Sequence, residues 1–244
     1  MCDFLKHRLK EHMDIDSLKG LFISLEGGEG AGKSSLLLHL ESWLIEQGYS
    51  VVVTREPGGT GLSETIRSWL LNNKGSFKIG DRSELLLFLA ARAQHIQELI
   101  LPALQNGKVV LCDRFNDSTI AYQGAARNLG IEYVKNLCQL VCGSVQPQLT
   151  FLLDVAPEVG LERSRLLQKE TSAGELDRIE AESLAFHQKI RDAFMLLAAE
   201  DPLRFSVIDA HRQQEEVQRK AIVRLEKFIS PFKKQQLTMN GNIY

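Results

Sequence analysis

The sequence predicts an α/β fold: a parallel five-stranded sheet flanked by helices on both faces, with a short mobile lid. Three observations predict it. Five short apolar runs are each followed by a helical stretch; the first run breaks into glycines within "FISLEGGEGAGKSSLLLHL", residues 22–40; and no internal repeat or low-complexity segment interrupts the alternation. With 244 residues, 44% of them hydrophobic, the chain can bury the core of one domain carrying a mobile insertion.

The elements follow in order. Leu21 to Glu26 is the first strand, and Leu36, Leu40, Trp43 and Leu44 mark the apolar stripe of the helix behind it. Val51 to Thr54 is the second strand. Asp81 followed by Glu84 has the form of a capping box opening the long helix "RSELLLFLAARAQHIQELI". Val109 to Asp113 is the third strand, and Asn116 or Asp117 can cap the helix that starts after it. In "CQLVC" two cysteines one helical turn apart indicate an apolar helix face. Leu149 to Val155 and Phe205 to Asp209 complete the sheet. Between two helical patterns lies the polar segment "LQKETSAGELDR", 167–178, which composition alone makes a solvated connection and position makes a candidate cover for a ligand. The expected organisation is an N-terminal extension (1–18), one domain (19–230) with its lid at about 163–178, and a polar tail (231–244).

Composition removes several function classes. Lys plus Arg is 29 against 31 for Asp plus Glu, a balance that argues against nucleic acid or a membrane surface as partner. Cys2, Cys112, Cys138 and Cys142 form neither a CxxC pair nor a zinc-like array, so reduced thiols and a cytoplasmic location are expected. The first nineteen residues fit neither a secretory signal nor a transmembrane start, and no apolar run approaches a membrane span. His39, His95, His187 and His211 lie beside no serine or cysteine nucleophile and read as surface or packing residues.

The chemistry begins in the first glycine turn. Gly27, Gly32, Lys33 and Ser34 satisfy G-x-x-x-x-G-K-S between a strand and a helix, the P-loop context. There the backbone from Gly27 through Gly28, Glu29, Gly30, Ala31 and Gly32 to Ser35 can cradle the phosphates of ATP. Lys33 reaches the outer phosphates, and the Ser34 hydroxyl is placed to hold Mg2+. Asp113, ending "KVVLCD", is placed as the carboxylate that supports the magnesium beside Ser34, through water. The guanine-reading N-K-x-D pattern is absent, since "NNKGS" at 72–76 lacks the acid. Beyond the loop, Arg92 lies four residues after Phe88 on one helix face, an aromatic surface beside a bidentate donor. In "DRFNDSTIAYQG", 113–124, Arg114, Ser118, Thr119, Tyr122 and Gln123 crowd one helical start, as a polar ligand requires.

These stretches, with "TREPGGT", "LLDVAPEVGLERSR" and "GELDRIEAES", resemble the bacterial thymidylate kinases in family order over roughly residues 20–225. The resemblance implies phosphorylation of dTMP by ATP with Mg2+, and a homodimer packed through helices on one side of the sheet. It further implies that Phe88 stacks on thymine, Arg92 bonds its carbonyl edge, Thr119 makes a second base contact, and Tyr122 crowds a ribose 2′-hydroxyl. Arg114 would bind the acceptor phosphate with Arg55 as helper, Glu29 would face the acceptor sugar, and Gln123 would join the same pocket. Because Gly28 to Ala31 contain no arginine, the family pattern moves a catalytic cation to the lid, where Arg163, Arg165 and Arg178 are candidates and Lys169 a further one. This chain departs from that pattern in the longer "LLQKETSA", with no arginine just before Gly174. The alternatives are a kinase for another monophosphate or for a deoxynucleoside, or a P-loop switch protein. A switch needs no second, base-sized pocket, so Phe88 with Arg92, and Arg114 with Tyr122, separate the readings.

Overall fold

The strands form where the apolar runs place them: β1 (Leu21–Gly27), β2 (Val51–Arg55), β3 (Val109–Asp113), β4 (Leu149–Asp154) and β5 (Phe205–Asp209). They pair in the order β2-β3-β1-β4-β5, every pair parallel. The structure, a computed structural model, describes residues 19–71, 77–171 and 178–240, with only the backbone at 170–171 and 231–240. The expected extension at 1–18, the "NNKGS" stretch, lid residues 172–177 and tail residues 241–244 lie outside it.

Parallel strands need crossovers, and helices supply them. In chain order these are α1 (Lys33–Glu46), α2 (Gly61–Leu71), α3 (Asp81–His95), a π-helical turn (Ile96–Ile100) and α4 (Leu101–Gln105). There follow α5 (Asn116–Thr119) with a second π-helical stretch (Ile120–Ala126), α6 (Ile131–Cys142), α7 (Pro157–Thr171), α8 (Leu184–Glu200) and α9 (Gln214–Asn240). The period of two in β1 divides its side chains between two layers. Leu21, Ile23 and Leu25 pack with Leu36, Leu40 and Leu44 of α1 and with Val217, Ala221 and Leu225 of α9. Phe22 faces the other layer, against Ile96, Ile100 and Phe115. A third cluster joins Leu152 of β4 to Tyr122, Cys138, Ile190 and Phe194. With both faces covered, all seven residues of β1 are buried, Glu26 among them.

Two expectations need correction. Asp81 is the first residue of α3 rather than its cap; Gly80 is the cap and no side chain bonds there. Glu84 is 1% exposed and turns inward to Gln123, Arg127 and Arg178, because three donors, two of them charged, hold it more strongly than one exposed amide would. Neither Asn116 nor Asp117 caps the helix after β3: both lie inside α5, whose cap is Phe115, and no side chain bonds there. The backbone at 231–240 continues α9 as helix to Asn240. Among the described residues, no helix is long and apolar enough to cross a membrane.

Candidate active site

The carboxyl ends of β1 and β3 open into one cleft of about 550 Å³. At its first end β1 stops at Gly27 and the chain turns through glycines into α1, whose cap, Gly32, sits at φ 91. Among described helices of eight residues or more, only α1 begins with neither a capping side chain nor an acid in its first turn. Its orphan amides and positive dipole end therefore favour an anion. The loop is fixed from behind by backbone contact with α7. A Cβ on Gly30 would strike the carbonyl oxygen of Gly160, and one on Gly160 would strike that of Glu29.

Lys33 folds onto the loop, its Nζ donating to the carbonyl oxygens of Gly28 at 2.8 Å and Gly27 at 3.2 Å. Burial and the Arg114 charge lower its pKa, against the pull of Asp113 and Glu29. The Ser34 hydroxyl donates to Asp113 Oδ2 at 3.3 Å, while Asp113 Oδ1 is buried without a hydrogen-bond partner. An orphaned carboxylate oxygen beside a hydroxyl is a donor set that suits a hard divalent cation.

Arg114 leaves β3 with φ 71, a left-handed conformation uncommon outside glycine. Its Nη2 donates to Glu29 Oε1 at 2.8 Å and its Nη1 to the Gly27 carbonyl at 2.9 Å and Ser118 Oγ at 3.2 Å. The Tyr122 hydroxyl donates to the same Glu29 oxygen at 2.6 Å, and the guanidinium stands 5.1 Å over the Tyr122 ring. Burial opposes the Glu29 charge, but Arg114, Lys33 and the Tyr122 hydroxyl together hold its carboxyl at about 2. Glu29 is therefore a fixed anion between the loop and the far end of the cleft.

That far end is lined by Phe88, half-buried, and by Arg92 and Thr119. Arg92 is 2% exposed; Nε donates to Glu56 Oε2 at 2.6 Å and Nη2 to Thr119 Oγ1 at 2.8 Å. Burial disfavours its charge, yet Glu56 outweighs burial and raises its pKa. Glu56 is held in turn by His95 Nδ1 at 2.9 Å, and His95 Nε2 meets Thr54 Oγ1 at 2.7 Å. Gln123 also lines the cleft, its amide donating to Glu84 at 2.8 Å.

The remaining cations separate. Arg163 lines the cleft with Nη1 on the Ala210 carbonyl at 2.8 Å, and Arg55 lines it while pairing with Glu64 at 3.2 Å. Arg165 and Lys169 are exposed and outside the lining. Arg178 is also outside it, tied to the Leu70 carbonyl at 3.0 Å and to Glu84. Reading the sequence missed Glu56 and Glu84 as buried counter-ions, and set His95 aside as packing although it carries the Glu56 network. It also passed over Glu26, whose signal was present: one acid inside an otherwise apolar strand, "LFISLEG". Burial, with Asp117 nearby, pushes the Glu26 carboxyl up to about 8.

Comparison with known proteins gives a consistent result. Residues 25–221 match the family model described as thymidylate kinase. The chain is 54% identical over 215 residues to the thymidylate kinase of Protochlamydia amoebophila (strain UWE25), covering 88% of this chain and 96% of that one. It is 48% identical over 197 residues to the thymidylate kinase of Chlamydia felis (strain Fe/C-56), covering 80% and 92%. The crystal structure of thymidylate kinase from Ehrlichia chaffeensis is similar with a TM-score of 0.65 and 33% identity, over 84% of this chain and 98% of that one.

Proposed function

The chain belongs to the thymidylate kinase family, and from that premise we propose how its cleft divides the work of phosphorylating dTMP with ATP. The reaction, dTMP plus ATP giving dTDP plus ADP, joins two anions, so the protein must align them and neutralise the charge that moves. No covalent protein intermediate is needed. One observation carries the proposal: a base-sized end holding Phe88, Arg92 and Thr119 shares its cleft with the phosphate loop.

At the donor end the loop amides from Gly27 to Ser35 hold the ATP phosphates. Lys33 exchanges its carbonyl partners for outer phosphate oxygens, a substitution of acceptors that costs little. The residues fit a magnesium ion, with Ser34 as ligand and Asp113 as supporting carboxylate through water; when bound, Mg2+ offsets charge on the phosphates. At the acceptor end Phe88 stacks on thymine, and Arg92 and Thr119 read its polar edge. Tyr122 closes the space beside the deoxyribose, with Gln123 at the same wall. Arg114, aided by Arg55, holds the acceptor phosphate, and Glu29 faces the sugar hydroxyl. Among the described lid cations Arg163 is the one already in the cleft lining, so we assign it the transferred phosphate; Arg165 and Arg178 serve that role only if α7 and the lid rearrange.

The remaining parts of the proposal are a single domain over 19–230, a cytoplasmic location, with which the free, buried thiols of Cys112, Cys138 and Cys142 accord, and a homodimer. Exposed Leu62 and Trp69 on α2 and Leu86 on α3, two helices packed together on one side of the sheet, support a helix-mediated dimer interface, which sedimentation would test. The test of function is ADP release with ATP and magnesium, offering dTMP, dUMP, UMP, dCMP, AMP and thymidine as acceptors. Preference for dTMP is expected. Turnover independent of any acceptor would sink the kinase reading, and preference for another monophosphate would overturn the pocket assignment alone.

A further inference from the structure

Glu26 is a carboxyl group with no exposure, on a strand whose every residue is buried, and its side-chain hydrogen bonds go to Phe115 and Ser118 rather than to the glycine loop that follows it. Burying an acid is unfavourable unless hydrogen bonds offset its lost hydration. Its two oxygens have specific partners. Oε1 accepts from the backbone amide of Phe115 at 2.7 Å, and Oε2 bonds the Ser118 hydroxyl at 2.5 Å.

Both partners lead to Arg114. Phe115 is the next residue in the chain, so a fixed Phe115 amide fixes the peptide that follows the left-handed turn at Arg114. From the other side, the Arg114 amide donates to the Leu25 carbonyl at 2.9 Å, so β1 grips the turn on both flanks with consecutive residues. Ser118 then accepts from Arg114 Nη1 at 3.2 Å, which ties the guanidinium itself to the same carboxyl group. Phe115, the capping residue of α5, makes no side-chain cap bond, and it is this residue's own amide that Glu26 accepts from the neighbouring strand.

We propose that Glu26, acting through Phe115 and Ser118, is the positioning residue that holds Arg114 in its strained conformation and aims it at the acceptor phosphate. This rests on the reading of Arg114 as the acceptor-phosphate ligand. A left-handed conformation is strained for a residue with a Cβ, so the turn needs an external hold. The hold comes from β1, the strand that also delivers the phosphate loop, so donor and acceptor sites share one rigid support.

The test compares acceptors that differ by the phosphate. Equilibrium binding of dTMP and of thymidine is measured on the full chain for Glu26→Leu, Ser118→Ala, Glu26→Gln and Arg114→Ala. Glu26→Leu and Ser118→Ala are expected to weaken dTMP roughly tenfold, the worth of one buried hydrogen bond, and to leave thymidine unchanged. Glu26→Gln keeps an acceptor for the Phe115 amide and a polar group at Ser118, and recovers most of the loss. Michaelis constants should follow, rising for dTMP and not for ATP. Equal losses for dTMP and thymidine, or no loss in either of the first two variants, would overturn the proposal. Should Glu26→Leu fail to fold, Ser118→Ala carries the decision. Arg114→Ala is the separate check: if it weakens both acceptors alike, the phosphate-ligand reading fails, whereas a phosphate-specific loss there without one at Glu26 and Ser118 removes the clamp only.

Discussion

The two ends of the cleft are built by opposite means. At the donor end the groups are backbone amides, one lysine resting on loop carbonyls and a carboxylate oxygen with no partner. At the acceptor end both the buried Arg92 and the half-buried Arg114 are already matched to an acid: Arg92 to Glu56, and Arg114 to Glu29. The difference follows from the ligands proposed for the two ends. Phosphates are alike in every nucleotide and can be met by main chain, while one base must be told from another by side chains held at fixed angles. The acceptor end is thus preorganised by salt bridges, and the donor end is completed by its ligand.

That contrast can be broken or sharpened by measurement. The largest effect is expected at Lys33. Lys33→Ala should lower kcat roughly a thousandfold or more while dTMP binding and the melting temperature stay near wild type, because its hydrogen bonds go to loop carbonyls and Arg114 remains to neutralise Glu29. A collapse of stability instead would show the donor lysine to be a structural counter-ion after all. Next is Arg92→Ala, which strands Glu56 in the core and should cost about 3 kcal/mol in denaturant unfolding, besides weakening dTMP. Unchanged acceptor saturation would remove its base-reading role.

The acid limb of stability should report Glu29. Its folded carboxyl is held at about 2, below the ordinary 4.5, so its contribution is present above 4.5 and lost as pH falls from there toward 2. Glu29→Gln should therefore lower stability at neutral pH by about 2 kcal/mol after solvent screening, and the gap from wild type should close between those values. A gap independent of pH would mean that shape, not charge, holds Arg114 and Tyr122. The smallest effect is expected from Gly160→Ala. Its methyl strikes the Glu29 carbonyl, so about 1–2 kcal/mol of overpacking should appear in thermal unfolding, with a fall in kcat as the loop shifts. A neutral result would show that the loop and α7 are free to separate.

How far the site was legible divides along the same line. Five strands lay within a residue of their expected ends, since alternation of apolar runs and helical stripes is a local signal. Gly27, Lys33 and Ser34 were legible because their spacing along the chain is their spacing in the loop. Glu84 was misread as a cap because its true partners, Gln123, Arg127 and Arg178, stand 39, 43 and 94 residues away. His95 was set aside because nothing nearby in the sequence shows Thr54 and Glu56 on either side of its ring.

By itself, then, the sequence determined the fold class, the phosphate loop, the metal-facing pair of Ser34 and Asp113 as an expectation, and the family. Only the tertiary structure decided which acid neutralises which arginine, that Arg163 rather than Arg165 or Arg178 lines the cleft, and that Glu26 stands behind Arg114. The physical reason is range. Period, turn chemistry and loop spacing act over a few residues, whereas a buried charge takes its partner from whatever strand the fold brings beside it.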